Sequence, residues 1–181
     1  MLWPRPTSAW ARKRRPQRVP KAKSWKKGER PPSRCLYAEM DVCEQEVQGE
    51  WHQTWNQEET WKYLQGLIAR YAAKGVRYLV VFWDNAPWHV AAGLRERVAA
   101  YNRQAKRVGK LHVVLFCLPS KSPWLMPLEG VFGQTKRAVG MRQRDTLDQL
   151  QDAVDQRLAW RNARVRARRK HAHSSTSLVS A

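Results

Sequence analysis

Two acidic residues sit where a chain could do chemistry with them. Asp84 follows Tyr78-Leu-Val-Val-Phe-Trp83, an apolar run of strand length, and opens the segment Asp84-Asn-Ala-Pro-Trp-His89. In open α/β sheets, ligands bind beyond the carboxyl ends of the strands. Glu129 is the third residue of a helix expected to start at Pro127. Each has a plain structural reading as well. Asp and Asn open turns before proline, and an acid in a first helical turn suits the helix dipole. As a pair, separated by one helix and one strand, they can converge beside the sheet. Two close carboxylates repel unless a divalent cation neutralises them. Hard oxygen ligands select Mg²⁺ or Mn²⁺ over zinc. Such an ion activates water or a 3′-hydroxyl and stabilises the pentacoordinate phosphate of an in-line displacement. The chemistry on offer is metal-dependent cleavage or transfer of a phosphodiester.

The elements that must position the pair can be read from the pattern. Cys35 to Cys43 reads as a strand, with Glu46 to His52 as its partner. Asn56 with Glu59 resembles a capping box, ahead of Trp61, Leu64, Ile68 and Tyr71 at helical spacing, and Gly75 closes that helix. The runs 78–83 and 111–118 are apolar throughout, which predicts strands covered on both faces. Between them Leu94, Val98, Tyr101 and Ala105 mark a helix face that stops at Gly109. Pro127 suits the first turn of a helix carrying Leu128, Val131, Phe132 and Val139. Thr146 and Gln149 cap a last one with Leu147, Leu150, Val154 and Leu158. Helices alternating with buried strands, behind a hairpin, make an α/β fold with a mixed sheet.

Charge divides the chain into three. The total is +19 over 181 residues, but residues 1–34 hold +11 and residues 156–181 hold +7, leaving the middle almost neutral. Cationic flanks attract polyanions, of which nucleic acid is the commonest inside cells. In the first flank Trp3, Trp10 and Trp25 are interleaved with the charges, and repeated prolines forbid a long helix. The expected organisation is a basic Pro-rich arm or edge strands over 1–34, an α/β domain over 35–162, and a disordered basic tail over 163–181. For Arg157 to Lys170 a helical DNA contact is the other reading. Three cysteines without a C-x-x-C speak against a disulfide scaffold or a zinc ribbon. No apolar run is long enough to span a membrane and the basic start has no signal-like segment, so a cytoplasmic protein is expected.

Asp84-Asn-Ala-Pro-Trp-His89, followed by Leu118-Pro-Ser-Lys-Ser-Pro-Trp-Leu-Met-Pro-Leu-Glu129, resembles the end of the catalytic domain of DDE transposases. The resemblance is to the bacterial insertion-sequence group related to mariner elements, with its D-N-x-x-x-H and L-P-x-x-S-P-x-L-N-P-x-E motifs. It runs over roughly residues 1–140 and is strongest over 78–139. It implies a ribonuclease H-like fold, Mg²⁺ or Mn²⁺, and action on DNA at transposon ends and target in the bacterial nucleoid. By the same resemblance Asp84 and Glu129 are metal-binding and catalytic. His89 lines the site or orients Asp84, its other reading being a capping or buried histidine. Lys121, Lys136 and Arg137 contact the DNA backbone, a solvated helix face being the plainer account of the last two.

Two departures accompany the likeness. Met126 stands where the family has Asn. The family's first catalytic Asp has no counterpart, since it belongs on a first strand just ahead of a stretch like Leu2-Trp3-Pro4; Asp41, sharing a strand face with Glu39, is the nearest substitute. The expectation is therefore a fold whose first strand is missing or incomplete, from truncation or a split reading frame. Two functions follow: a DDE catalytic fragment that cuts and joins DNA, or an inactive DNA-binding remnant that pairs with itself or a full-length transposase. A basic RNA- or ribosome-associated protein is a third.

Overall fold

The computed structural model describes residues 33–119, 122–140 and 146–177. The chain divides between Pro31 and Pro32. Nearly all of the expected basic arm, and Lys121, lie outside the described residues.

Strands β1 (Cys35–Met40) and β2 (Val47–His52) form an antiparallel hairpin with Leu36 opposite Trp51 and Tyr37 opposite Glu50. Alternation sends Cys35, Tyr37 and Glu39 to one face and Leu36, Ala38 and Met40 to the other. Strand β1 stops short of Cys43 because Asp41 turns the chain, its Oδ1 accepting the N–H groups of Cys43 and Glu44, both at 3.0 Å. Across the hairpin Gly49 is required by close approach: a Cβ there would lie 2.7 Å from the Tyr37 carbonyl oxygen.

Helix α1 (Gln57–Ala73) starts as the capping signal predicts, with Asn56 Oδ1 accepting the Glu59 N–H at 2.8 Å. The Glu59 carboxylate does not reach back to the cap; it bonds His52 Nδ1 at 2.5 Å and Lys62 Nζ at 2.8 Å. The helix buries Thr60, Tyr63, Leu64, Leu67 and Ile68, and Gly75, at φ 74°, turns the chain out of it.

Strand β3 (Tyr78–Trp83) pairs in parallel with β4 (His112–Cys117). The short helix α2 (Pro87–Val90) and the longer α3 (Ala92–Arg107) form the crossover. One core joins both ladders: Tyr37 of the hairpin, Tyr63, Leu64, Leu67 and Ile68 of α1, Leu79 and Trp83 of β3, Leu94 and Val98 of α3, and Val113 of β4. Coverage on both faces, expected for β3 and β4, is not what the structure has. Leu79 and Val113 are buried, whereas Tyr78, Val80, Phe82, Val114 and Phe116 on the opposite face are exposed.

A 3₁₀ turn at Pro123–Leu125 leads into α4 (Pro127–Gly140), and α5 (Leu147–Ser177) follows. These two helices pack on the second face of the hairpin, where Val131 and Leu158 meet Val47, with Leu36, Ala38 and Met40 around them. A disordered tail from residue 163 is not seen: α5 continues to Ser177. Arg166 Nη1 lies 2.6 Å from Glu46 and Arg169 bonds Glu44, so basic residues that look solvated in the sequence are paired with the hairpin turn. Helix–ladder–helix layering is the mixed α/β arrangement expected, with small sheets flanked by helices and consistent with a ribonuclease H-like fold. Among the described residues the two ladders share no hydrogen-bonded strand. No described helix is long and apolar enough to cross a membrane.

Candidate active site at the strand ends

Parallel pairing brings the exits of β3 and β4 to the same edge. The ladder runs one step past the strands, with Leu118 N–H donating to the Trp83 carbonyl at 2.9 Å. Asn85 Nδ2 then donates to the Leu118 carbonyl at 2.6 Å, tying the two exit loops together. Asp84 opens the first loop. Its Oδ1 accepts the Ala86 N–H at 3.0 Å, so the turn-forming reading of this residue holds. The same oxygen lies 2.6 Å from His89 Nδ1. Asp84 remains 58% exposed, and its Oδ2 has no hydrogen bond among the described residues.

His89 is held from both sides. Pro87 starts α2 with its missing N–H at an otherwise unpaired position, and His89 comes up on that turn. Its ring stacks on Trp83 at 4.8 Å with the planes 4° apart. Trp88 stacks in turn on Trp55, just before α1, at 5.7 Å. The indole N–H groups of Trp83 and Trp88 are buried without an acceptor among the described residues. None of these tryptophans was singled out from the sequence as a site residue. The available signal was Trp83 and Trp88 bracketing the Asp84 to His89 segment; Trp55 had none, since only the fold brings it there.

Glu129 stands in the first turn of α4 and is exposed. Val131, Thr135 and Val139 take the buried face of the helix. Met126, at the family's Asn position, offers no side-chain cap, and its backbone carbonyl accepts the Glu129 N–H at 3.0 Å instead. Lys136 and Arg137 lie further along α4, exposed.

Asp84 at the exit of β3 and Glu129 in the first turn of α4 are both exposed carboxylates, the donor type a hard divalent cation prefers. Among the described residues no three His, Cys, Asp or Glu side chains gather to hold a metal ion. Asp41 does not supply the third ligand. Its Oδ2 accepts the Tyr71 hydroxyl at 2.9 Å, at the C-terminal end of α1, whereas Trp55 and Trp88 meet at the N-terminal end. At 1.5 Å per residue those ends are about 22 Å apart. Burial pushes the Asp41 carboxyl up, but hydrogen bonds from Glu44, Tyr71 and Cys43 outweigh it and leave the pKa lowered. Glu39 shares that strand face and is also spent on α1, bonding Tyr63 and Arg70. Burial raises it to about 7, against the opposing charge of Arg70.

Comparison with curated proteins and with solved structures returns no match. Residues 3–151 match the family model described as DDE superfamily endonuclease, which spans both Asp84 and Glu129. With four-fifths of its length inside that match, the chain belongs to the DDE superfamily endonucleases.

Proposed function

We propose that this protein cuts DNA strands and transfers the freed 3′ ends, as a transposase of the bacterial insertion-sequence group related to mariner elements. The observation that carries the reading is the Asp84–His89 contact at the exit of β3, with Glu129 exposed in the opening turn of α4. His89, braced on Trp83, fixes Oδ1 of Asp84 and leaves Oδ2 available. Glu129 contributes its carboxylate from the opening turn of α4. Asp84 and Glu129 would hold Mg²⁺ or Mn²⁺, which, when bound, activates the attacking oxygen and stabilises charge at phosphorus. His89 is a positioning residue here. Lys121, Lys136 and Arg137 contact phosphates of the transposon end or target. Such a protein works at the nucleoid, as a homodimer or paired with a full-length transposase.

The test is nicking of supercoiled plasmid in Mg²⁺, with Mn²⁺ binding followed by its paramagnetic signal. Asp84→Asn and Glu129→Gln should each abolish nicking, a loss of at least about a hundredfold for a group stabilising transition-state charge. They should also weaken Mn²⁺ binding. Nicking that survives Asp84→Asn sinks the assignment.

A second reading has its own observation: among the described residues no three His, Cys, Asp or Glu side chains gather to hold a metal ion. It makes the protein an inactive DNA-binding remnant. Salt-sensitive DNA binding that ignores both metal and Glu129→Gln, without nicking, would select it.

A further inference from the structure

Helix α5 divides its arginines between two faces. At about 100° per residue, Asp155, Leu158, Asn162, Arg166 and Arg169 fall on one side, with Arg161 at its border. All are engaged with the hairpin. Asp155 accepts from Trp51 Nε1 at 3.0 Å, Leu158 is buried, and Asn162 bonds the backbone of Val47. Arg161 Nη1 donates to the Gln45 carbonyl at 2.7 Å, while Arg166 and Arg169 pair with Glu46 and Glu44. Glu44 and Glu46 of the hairpin turn are consumed by this face.

The opposite side carries Arg157, Arg164 and Arg168 within a sector of about 40°, along about 16 Å of helix. None of the three has an acidic partner among the described residues. Two are gathered by one ring: the guanidinium carbons of Arg157 and Arg164 stand 4.2 and 4.7 Å from the centroid of Trp160, itself 47% exposed. Cation–π stacking steadies the planar heads and leaves their edge N–H groups pointing outward, the donors that phosphate oxygens take. The chain has no acidic residue from 156 onward to neutralise the stripe. These residues lie beyond the family match, which stops at residue 151.

We infer that the outer face of α5 is a binding site for the phosphate backbone of duplex DNA, read through Arg157, Arg164 and Arg168. Charge complementarity selects the ligand, since duplex DNA carries one negative charge per about 1.7 Å. The inner arginines hold the helix against the hairpin, and the outer ones meet phosphates away from the candidate active site. The inference rests on the reading that DNA is the substrate, but it can fail separately.

The experiment measures affinity of the full chain for a duplex oligonucleotide at several salt concentrations. Each phosphate neutralised contributes about 0.9 to the slope of log K against log salt. Replacing Arg157, Arg164 and Arg168 together by Gln should flatten the slope by about 2.7. Replacing Arg103, Lys106 and Arg107 of α3, all exposed, removes the same charge elsewhere and should leave the slope within about one unit. Equal flattening by both sets would show an effect of net charge alone and overturn the site. So would an unchanged slope in the α5 variant, including the case where that variant loses affinity only for folded RNA. Loss of nicking in Asp84→Asn with the slope intact separates the two claims: the active-site reading is then upheld without bearing on α5.

Discussion

The two ladders of this molecule bury themselves by opposite means. The β1/β2 hairpin is sandwiched, with α1 on one face and α4 and α5 on the other, and many of its contacts are polar or charged: Glu39 with Arg70, Trp51 with Asp155, the turn with Arg161, Arg166 and Arg169. The β3/β4 ladder, which delivers Asp84, packs one face on the core through Leu79, Trp83 and Val113, and leaves Val80, Phe82, Val114 and Phe116 exposed on the other. The more apolar pair of strands is the less covered one. Its stability must therefore come from one side, and the difference can be broken at that side. Leu94 of α3, at 0% exposure, sits beneath the ladder. Leu94→Ala should cost about 3–4 kcal/mol through lost burial and the cavity left behind. Val80→Thr, on the open face, should change stability by no more than about 0.5 kcal/mol. Urea midpoints of the two variants check this. A large loss from Val80→Thr would mean that the open face is covered in solution.

The hairpin's polar coverage makes it the pH-sensitive half. Glu39 is raised to about 7 in the fold, by burial that Arg70 only partly offsets. The folded state then holds a proton that the unfolded chain, with an ordinary carboxyl, releases near pH 4.5. Stability from this residue is present below about 4.5 and declines as pH rises towards 7, by about 2–3 kcal/mol. Glu39→Gln keeps the packing and removes the titration, so the variant should gain on the natural chain as pH goes from 5 to 8. Chemical denaturation at those two pH values reads the difference. An equal response in both chains would show Glu39 ionised throughout and paired with Arg70.

Most of the architecture is legible in the residues because it is local. Strand β3 falls on the run 78–83, Asn56 and Thr146 cap the helices that they announce, and Leu94, Val98 and Ala105 are the buried face of α3. The Asp84–His89 relation is legible for the same reason, since five residues separate the partners. What could not be read is long-range. Apolar composition alone does not say that one face of β3 and β4 is open. The run of arginines after residue 156 looks like a tail until Glu46, 120 residues earlier, is brought beside Arg166. The reach of Asp41 depends on which end of α1 it meets, and strand spacing does not carry that information.

In one respect the ladders agree, and the agreement is testable at smaller scale. Each outer edge strand offers an N–H and a carbonyl to a single helical asparagine. Asn162 of α5 accepts from the Val47 N–H at 3.0 Å and donates to its carbonyl at 2.7 Å. Asn102 of α3 does the same for Val113, at 2.9 and 2.8 Å. A carboxamide has the donor and acceptor of a peptide group, so each side chain stands in for one residue of an absent neighbouring strand and blunts the edge there. Truncation leaves two strand groups unpaired, and the loss depends on whether water can replace the amide. The Asn162–Val47 bonds are buried, those of Asn102 only partly so. Asn162→Ala should therefore cost about 2 kcal/mol and Asn102→Ala about 1 kcal/mol. Amide hydrogen exchange at Val47 and Val113 should quicken only in the variant that touches each. If Asn102→Ala proved the costlier, the polar cover of the hairpin would be the weaker of the two, and the contrast between the ladders would reverse.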